Sequence, residues 1–203
     1  MMSWALRPMS GSGQECPRYG GLSMSTTPFV TLLDLFPNRP DRPECILIPA
    51  AEMPPPYDQL LVHRHHMTVT MEEFYGDPVD IRILDLNLTE EWYARKILLT
   101  KRSDGKIVQF GIPRIRLKFC SPPVRKAILQ GRTPLGRILI ENNVHRRIEP
   151  IAFMKVTPGV ATETWFGPEA GAQLTYGRIG VIYCDEQPAI EVLEIVAPVL
   201  PAR

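Results

Sequence analysis

The strongest constraint on the fold of this 203-residue chain is a central hairpin. Residues 93–101 are rich in Ile and Leu, Ser103-Asp104-Gly105 has the composition of a turn, and residues 106–117 resume an apolar pattern. Two apolar runs joined by so short a turn pair antiparallel to one another. Pro113 in the second run predicts an edge position or a bulge, because proline cannot donate to a sheet ladder. The centre of the chain is therefore predicted to be an antiparallel sheet.

Further strands are predicted on both sides of this hairpin. Val79, Ile81 and Ile83 alternate with polar residues, which is the two-residue period of a strand with one buried face. Three later segments are also apolar, namely residues 145–156, 178–184 and 189–197. The count is about six strands with few helices, and consecutive hairpins favour an antiparallel sheet over βαβ units. The predicted fold class is therefore α+β.

Three helices are predicted outside the sheet. The first is amphipathic, since its apolar residues recur at spacings of three and four, and Gly76-Asp77-Pro78 ends it. The other two begin at prolines, which suit the first turn of a helix because no backbone N–H is needed there. Ser121 is a candidate N-cap of the second helix, and Gly131 stops it. The three predicted helices cover residues 60–74, 122–130 and 134–140.

The N-terminal quarter differs from the rest, since ten of the 21 prolines lie in the first 56 residues. That density excludes long helices and central strands there. Residues 1–25 are predicted to be disordered, residues 26–56 to form a proline-rich extension that packs across the domain, and residues 57–203 to form one domain. No apolar run approaches the roughly 18 residues of a membrane span, and the head lacks a continuous apolar signal segment. A cytoplasmic protein without membrane attachment is expected.

Charge is distributed unevenly, although the formal net charge is only +1. Residues 41–100 hold 5 Lys or Arg against 11 Asp or Glu, whereas residues 101–150 hold 12 against 3, a local +9. This basic block could attract a small anionic ligand or form a solvated face. It contains few aromatic residues and no nucleic-acid-binding motif, so no nucleic-acid partner is expected.

Neither the cysteines nor the histidines make a convincing metal site. The four cysteines are far apart in sequence and include no C-x-x-C pair, which favours free, mostly buried thiols. His63-Arg64-His65-His66 offers imidazole ligands, but on a helix only the first and last histidine share a face, and no third ligand is near. An exposed polar face is the preferred interpretation. No metal and no cofactor are expected.

Two charged residues inside apolar strands are better candidates for a functional site. Arg95 shares its face with apolar neighbours, so a buried guanidinium there would need a carboxylate partner. Glu194 also shares a face with apolar residues, where an unpaired carboxyl could stay protonated near neutral pH. Periodicity leaves open that the two pair with each other or that both face solvent. It also leaves open that Glu191, on the other face of the strand, is the functional acid.

Two central segments form a specific combination: Tyr93-Ala94-Arg95-Lys96-Ile97-Leu98-Leu99 and Gly131-Arg132-Thr133-Pro134-Leu135-Gly136-Arg137. Three flanking segments match the same pattern: His66-Met67-Thr68, Tyr176-Gly177-Arg178 and Glu194-Ile195-Val196-Ala197-Pro198. With these segments the chain resembles the chorismate lyase family (chorismate pyruvate-lyase) over about residues 57–200. The resemblance implies a six-stranded antiparallel sheet with helices packed on one side and helical flaps over an internal ligand site.

The resemblance also implies an activity. Pyruvate would be eliminated from chorismate to give 4-hydroxybenzoate, a precursor of ubiquinone or of another aromatic metabolite, without a cofactor. Arg95 would hold the ring carboxylate, and Glu194 would bind the hydroxyl-bearing side of the ring and transfer a proton. Met67 and the backbone amide of Leu135 would contact the substrate. Further candidates for the same pocket are Gly136, Arg178 and Arg114.

Two other functions are compatible with the same resemblance. One is a non-catalytic domain that senses a small molecule, like the effector-binding half of certain bacterial transcription regulators. The other is a variant that converts chorismate into another hydroxybenzoate or has lost activity, because Gly111-Ile112-Pro113 stands where the family usually carries an arginine directly after its glycine. In each case the expected partner is a small molecule, and the oligomeric state stays open.

Overall fold

The computed structural model of the chain describes residues 32–36 and 42–199. The predicted disordered head, residues 1–25, lies outside these ranges. The strands are β1 (Cys45–Ile48), β2 (Val79–Leu88), β3 (Tyr93–Lys101), β4 (Ile107–Ile115), β5 (Arg146–Val156), β6 (Thr175–Cys184) and β7 (Gln187–Val196). They form one antiparallel sheet in the order β1-β5-β6-β7-β4-β3-β2. The α+β class and the antiparallel sheet are thus confirmed.

The central hairpin has the predicted antiparallel geometry, but Pro113 is not at an edge. β4 lies between β3 and β7, so the predicted edge position was wrong, whereas its pairing with β3 has a register shift opposite Leu99 and Thr100. The β3–β4 pairing also has a gap: Ala94 pairs with Arg114 and Ile97 with Gly111, while the residues between these pairs are unpaired across the two strands. The missing N–H of proline is accommodated in this gap. The same gap contains Arg95 on the facing strand.

The helices outside the sheet are α1 (Tyr57–Leu61), α2 (Met67–Tyr75), α3 (Pro122–Gln130), α4 (Leu135–Glu141), α5 (Val160–Phe166) and α6 (Pro168–Gly171). α3 and α4 correspond to the two short predicted helices. Gly131 ends α3 with a φ of 67°, in the left-handed region that glycine adopts most readily. Ser121 occupies the N-cap position of α3 as predicted, although its side chain makes no hydrogen bond to the helix.

The predicted helix over residues 60–74 is in fact two helices, α1 and α2, with an irregular segment between them. The guanidinium of Arg178, on β6, donates to the backbone carbonyls of Leu61, His63 and His65 at 3.0–3.2 Å. Carbonyls that turn toward a side chain in this way leave the helical hydrogen-bond ladder. The break is therefore imposed by a residue more than a hundred positions away in the sequence, which apolar spacing does not reveal.

Both faces of the sheet are covered. Helices α1 to α4 pack on one of them, here termed the cavity face. On the opposite face, Trp165 of α5 stacks on Phe110 of β4, with ring centroids 3.7 Å apart. Leu32, Leu33 and Phe36 belong to the same buried cluster. The helices expected on one side are thus joined by a second layer on the other.

The proline-rich extension contributes directly to the domain. Within it, β1 pairs antiparallel with β5, with Cys45 opposite Val156. This edge strand is the addition to the roughly six strands expected from the sequence. With the buried side chains of Leu32, Leu33 and Phe36, it places these described parts of the extension against the rest of the sheet.

The described cysteines, Cys45, Cys120 and Cys184, are free thiols. Burial raises the pKa of Cys45 to about 12, and burial together with the nearby Cys120 raises the pKa of Cys184 to about 12. Such thiols are poor nucleophiles and poor metal ligands. Across residues 32–36 and 42–199, no three His, Cys, Asp or Glu side chains are grouped to hold a metal ion, and no helix is long and apolar enough to cross a membrane.

Candidate anion-binding cavity

A small cavity lies between the cavity face of the sheet and the first turns of α2 and α4. Its polar lining residues are His66, Thr68, Arg95, Gln109 and Glu194. The volume of the cavity is about 50 Å³. At about 10–15 Å³ for each water centre, that space holds roughly three to five waters. This volume is well below the roughly 300–1,000 Å³ of typical ligand sites, so the cavity suits a ligand no larger than one substituted ring.

The register of the sheet brings the two charged candidates onto one face. Gly111 of β4 lies opposite both Ile97 of β3 and Glu194 of β7. Arg95 lies two residues before Ile97 on β3, so its side chain projects from the same face of the sheet. Neighbouring strands are about 4.8 Å apart, and residues i and i+2 of one strand are about 6.7 Å apart. Arg95 and Glu194 are separated by two strand spacings and two residues, so their Cα atoms are roughly 12 Å apart. Gly111 lies between them and lines the cavity with its backbone alone, since it has no side chain.

Arg95 is fully buried, and none of its three guanidinium nitrogens has a hydrogen-bond partner among the described residues. Burial lowers the pKa of this guanidinium, and the nearby Tyr93 hydroxyl offsets part of the effect. Arginine nevertheless stays charged in proteins. A buried cation without a counter-charge is unfavourable. Arg95 is therefore a group that a bound anion would stabilise.

Glu194 also lines the cavity, but its partner is Arg178 rather than Arg95. The Nε of Arg178 donates to Glu194 Oε2 at 2.7 Å, and the two side chains are only 2% and 12% exposed. Glu191 lies on the opposite face, where it forms an ion pair with Arg114. Arg114 therefore does not line the cavity, contrary to expectation, because its strand position directs it to the other side of the sheet. Arg178 does not line the cavity itself, but its ion pair holds the carboxylate of Glu194 in place.

The starts of α2 and α4 form the lid of the cavity. Met67 and Leu135 are the first residues of these helices, and both line the cavity. Gly136 allows the helices to approach closely, because a Cβ there would lie 2.9 Å from both the Cβ of His66 and the Oγ1 of Thr68. The fold thus brings these three candidates together above the sheet.

Gln109 is a cavity residue that the sequence analysis missed. It lies on β4 opposite Leu99 and Val196, and it is only 3% exposed. Its Oε1 is buried and has no hydrogen-bond partner in the described part of the chain. The available signal was a polar residue inside an apolar strand, the same signal that identified Arg95 and Glu194.

Two histidines of the α1–α2 break lie beside the cavity. Burial and the charge of Arg178 lower the pKa of His63 to about 4, and burial with the charge of Arg146 lowers the pKa of His66 to about 4. The Nε of Arg146 donates to His66 Nε2 at 2.6 Å, so the neutral ring carries its proton on Nδ1. Near neutral pH, His66 is therefore an uncharged part of the cavity wall.

The free energy of unfolding should decrease as the pH falls from about 6.5 to 4. The unfolded chain binds protons at these histidines near their ordinary pKa of 6.5, whereas the folded protein does so only near 4, so acid favours unfolding. His66 alone would contribute up to about 3 kcal/mol across this window, at about 1.4 kcal/mol for each pKa unit. Urea unfolding at several pH values between about 7.5 and 5 measures this loss.

A matched pair of variants tests the assignment. His66→Asn should flatten the dependence of stability on pH, because it removes one of the buried titrating groups. His145→Asn should leave the dependence unchanged, because that side chain is 74% exposed. The same slope in His66→Asn and in the unmodified protein would contradict the assignment.

No family model matches the chain, and no curated protein matches it. Solved structures do match. The effector domain of PhnF from Mycobacterium smegmatis has a TM-score of 0.51 and 12% identity over 68% of this chain and 96% of that chain. This chain has a chorismate lyase-like fold. A structure of PhnF with a longer chain gives the same TM-score and identity over 70% of this chain and 71% of that chain.

The likeness agrees with the fold that the sequence resemblance implied. At 12% identity it shows the chorismate lyase-like fold alone, which is also that of regulator effector domains. A possible transcriptional regulator, YydK from Bacillus subtilis, matches with a TM-score of 0.45 and 11% identity over 62% of this chain and 63% of that chain.

Proposed function

We propose that this domain binds a small organic anion, with Arg95 as the residue that holds the ligand carboxylate. The observation that carries the proposal is the buried guanidinium of Arg95, which lines the cavity and has no hydrogen-bond partner among the described residues. A carboxylate can accept two parallel N–H groups from a guanidinium. The fold shared with the PhnF effector domain supports a binding role.

The other end of the cavity favours a ligand that also carries a hydrogen-bond donor. The carboxylate of Glu194 and the unpaired Oε1 of Gln109 are both acceptors there. The Cα atoms of Arg95 and Glu194 are roughly 12 Å apart on one face of the sheet, so the two side chains can contact opposite sides of one small ligand. A cyclic carboxylate with a ring hydroxyl would satisfy both ends of the cavity.

Calorimetric titration with a panel of cyclic carboxylates tests this proposal: benzoate, 3-hydroxybenzoate, 4-hydroxybenzoate and cyclohexanecarboxylate. A hydroxylated benzoate should bind about tenfold more tightly than benzoate, because it supplies a donor to a buried acceptor. Gln109→Leu should reduce this preference while benzoate still binds. Absence of binding by every member of the panel would contradict the proposal.

A second candidate function is the elimination of pyruvate from chorismate. The observation that favours it is the placement of Arg95 and Glu194 in the same cavity. Arg95 would hold the ring carboxylate, and Glu194 would assist removal of the ring proton as the C–O bond to the enolpyruvyl group breaks. The ring becomes aromatic, and the released enol becomes pyruvate. Chorismate is larger than one substituted ring, so the lid formed by α2 and α4 would have to open.

Incubation of the purified protein with chorismate, followed by chromatography, separates the two candidates. Release of pyruvate with 4-hydroxybenzoate would support a lyase, and 3-hydroxybenzoate would identify a different product isomer. Glu194→Gln should then abolish most turnover, whereas Glu191→Gln should retain it, because Glu191 lies on the face away from the cavity and pairs with Arg114. If no pyruvate is released, the lyase hypothesis is excluded and the binding function is the one that stands.

A further inference from the structure

An open groove with a volume of about 630 Å³ lies on the outer side of His66. Its basic lining residues come from the α1–α2 break and from the start of β5: Arg64, His65, His66, His145, Arg146 and Arg147. Two features of the sequence that lie mostly outside the cavity come together in this groove. One is the histidine cluster at residues 63–66, and the other is the end of the basic block at residues 101–150.

The groove also has an apolar part. Val69 of α2 and Ile140 of α4 line it, together with Val144 and Ile148 near the start of β5. Small-molecule sites typically occupy about 300–1,000 Å³ and combine apolar surface with a few charged groups. The size and composition of the groove therefore suit an organic molecule with a charged end, rather than an inorganic ion alone.

The sign of that charge follows from the partners of the basic residues. No Asp or Glu is among the described residues that line the groove. Arg147 is already paired with Glu149, and His145 lies 3.6 Å from Glu186. The charge of Arg147 is thus offset by a carboxylate.

Two other guanidinium groups remain available to an anion. Arg146 uses its Nε for His66 and its Nη1 for the carbonyl of Val144, which leaves its Nη2 without a partner in the described residues. Arg64 is exposed and forms no ion pair within residues 32–36 and 42–199. The two arginines come from different chain segments and line the same groove.

We propose that this groove is a second binding site, separate from the cavity, for a small organic phosphate. A single carboxylate is satisfied by one guanidinium fork, whereas the three oxygens of a phosphate can accept from two. Arg64 and Arg146 would hold the phosphate, and the apolar part of the ligand would pack on Val69 and Ile140.

Calorimetric titration of the full chain with phenyl phosphate tests this site, with inorganic phosphate and benzyl alcohol as comparison probes. Phenyl phosphate should bind more tightly than inorganic phosphate, and benzyl alcohol should not bind. Arg64→Gln should weaken phenyl phosphate binding about tenfold. Lys126→Gln, an exposed basic residue of α3 outside the groove, should not change it.

The variant Arg95→Gln distinguishes the groove from the cavity. Binding of phenyl phosphate should persist in Arg95→Gln, because that residue does not line the groove. Loss of binding in Arg95→Gln with no effect of Arg64→Gln would overturn the proposal, since the ligand would then occupy the cavity. Equal weakening by Arg64→Gln and Lys126→Gln, or no binding at all, would also overturn it.

Discussion

Arg95→Met is expected to stabilise the ligand-free protein and, at the same time, to abolish binding of anions in the cavity. The substitution removes a fully buried cation that has no hydrogen-bond partner among the described residues, and it breaks no ion pair. Replacing buried charge by an apolar side chain of similar length can stabilise a protein by about 1–4 kcal/mol. Urea unfolding measures the change in the free energy of unfolding, and calorimetric titration with 4-hydroxybenzoate measures the loss of binding.

Arg95→Lys provides the matched control for this result. It keeps the positive charge but lacks the planar fork of the guanidinium, so it should give weaker binding without the stabilisation. A gain in stability together with a loss of binding is typical of a residue retained for function. A ligand-free Arg95→Met protein that is less stable than the unmodified protein would contradict this interpretation, because Arg95 would then stabilise the fold itself.

Arg178→Met is expected to have the opposite effect on stability. Arg178 pairs with Glu194, and its guanidinium also donates to the carbonyls of Leu61, His63 and His65. Its removal would leave a nearly buried carboxylate without its counter-charge and three carbonyls without these donors. Breaking a buried ion pair in this way typically costs about 3–5 kcal/mol. Urea unfolding of the variant measures the loss.

A double variant separates the ion pair from the carbonyl contacts. In Arg178→Met with Glu194→Gln, the unpaired charge is gone, so part of the lost stability should return. The stability that does not return would measure the loss of the hydrogen bonds from Arg178 to the carbonyls between α1 and α2. A loss below about 1 kcal/mol in Arg178→Met alone would contradict the assigned role.

Six of the seven strands of the sheet were predictable because their signals are local, whereas β1 was not predicted. The apolar run at residues 93–101 and the turn at Ser103-Asp104-Gly105 are sufficient to define the hairpin, and β3 has the predicted bounds. The break between α1 and α2 was not predictable, because its cause is a hydrogen bond from Arg178, which is 117 residues from Leu61. The central position of Pro113 likewise depends on the order of the strands, which periodicity does not define.

The candidate site was partly predictable for the same reason. Arg95 and Glu194 stand out as charges in apolar strands, and strand register places both on the cavity face. Register also places Glu191 on the opposite face. A shift of the register by one residue would exchange the faces of Glu191 and Glu194. The partner of Glu194 was not predictable, because Arg178 is adjacent to it only through the β6–β7 pairing. The unpaired state of Arg95 follows from that pairing.

A comparison of 4-hydroxybenzoate with 4-hydroxybenzamide by calorimetric titration tests the central claim most directly. The two molecules have nearly the same shape and differ in the charge of one group, which would lie against Arg95. Binding of the carboxylate should be at least about 100-fold tighter, because the neutral amide leaves the buried guanidinium without a counter-charge. Arg95→Met should remove that difference. Equal affinities of the unmodified protein for the two molecules would contradict the claim that this cavity binds an organic anion through Arg95.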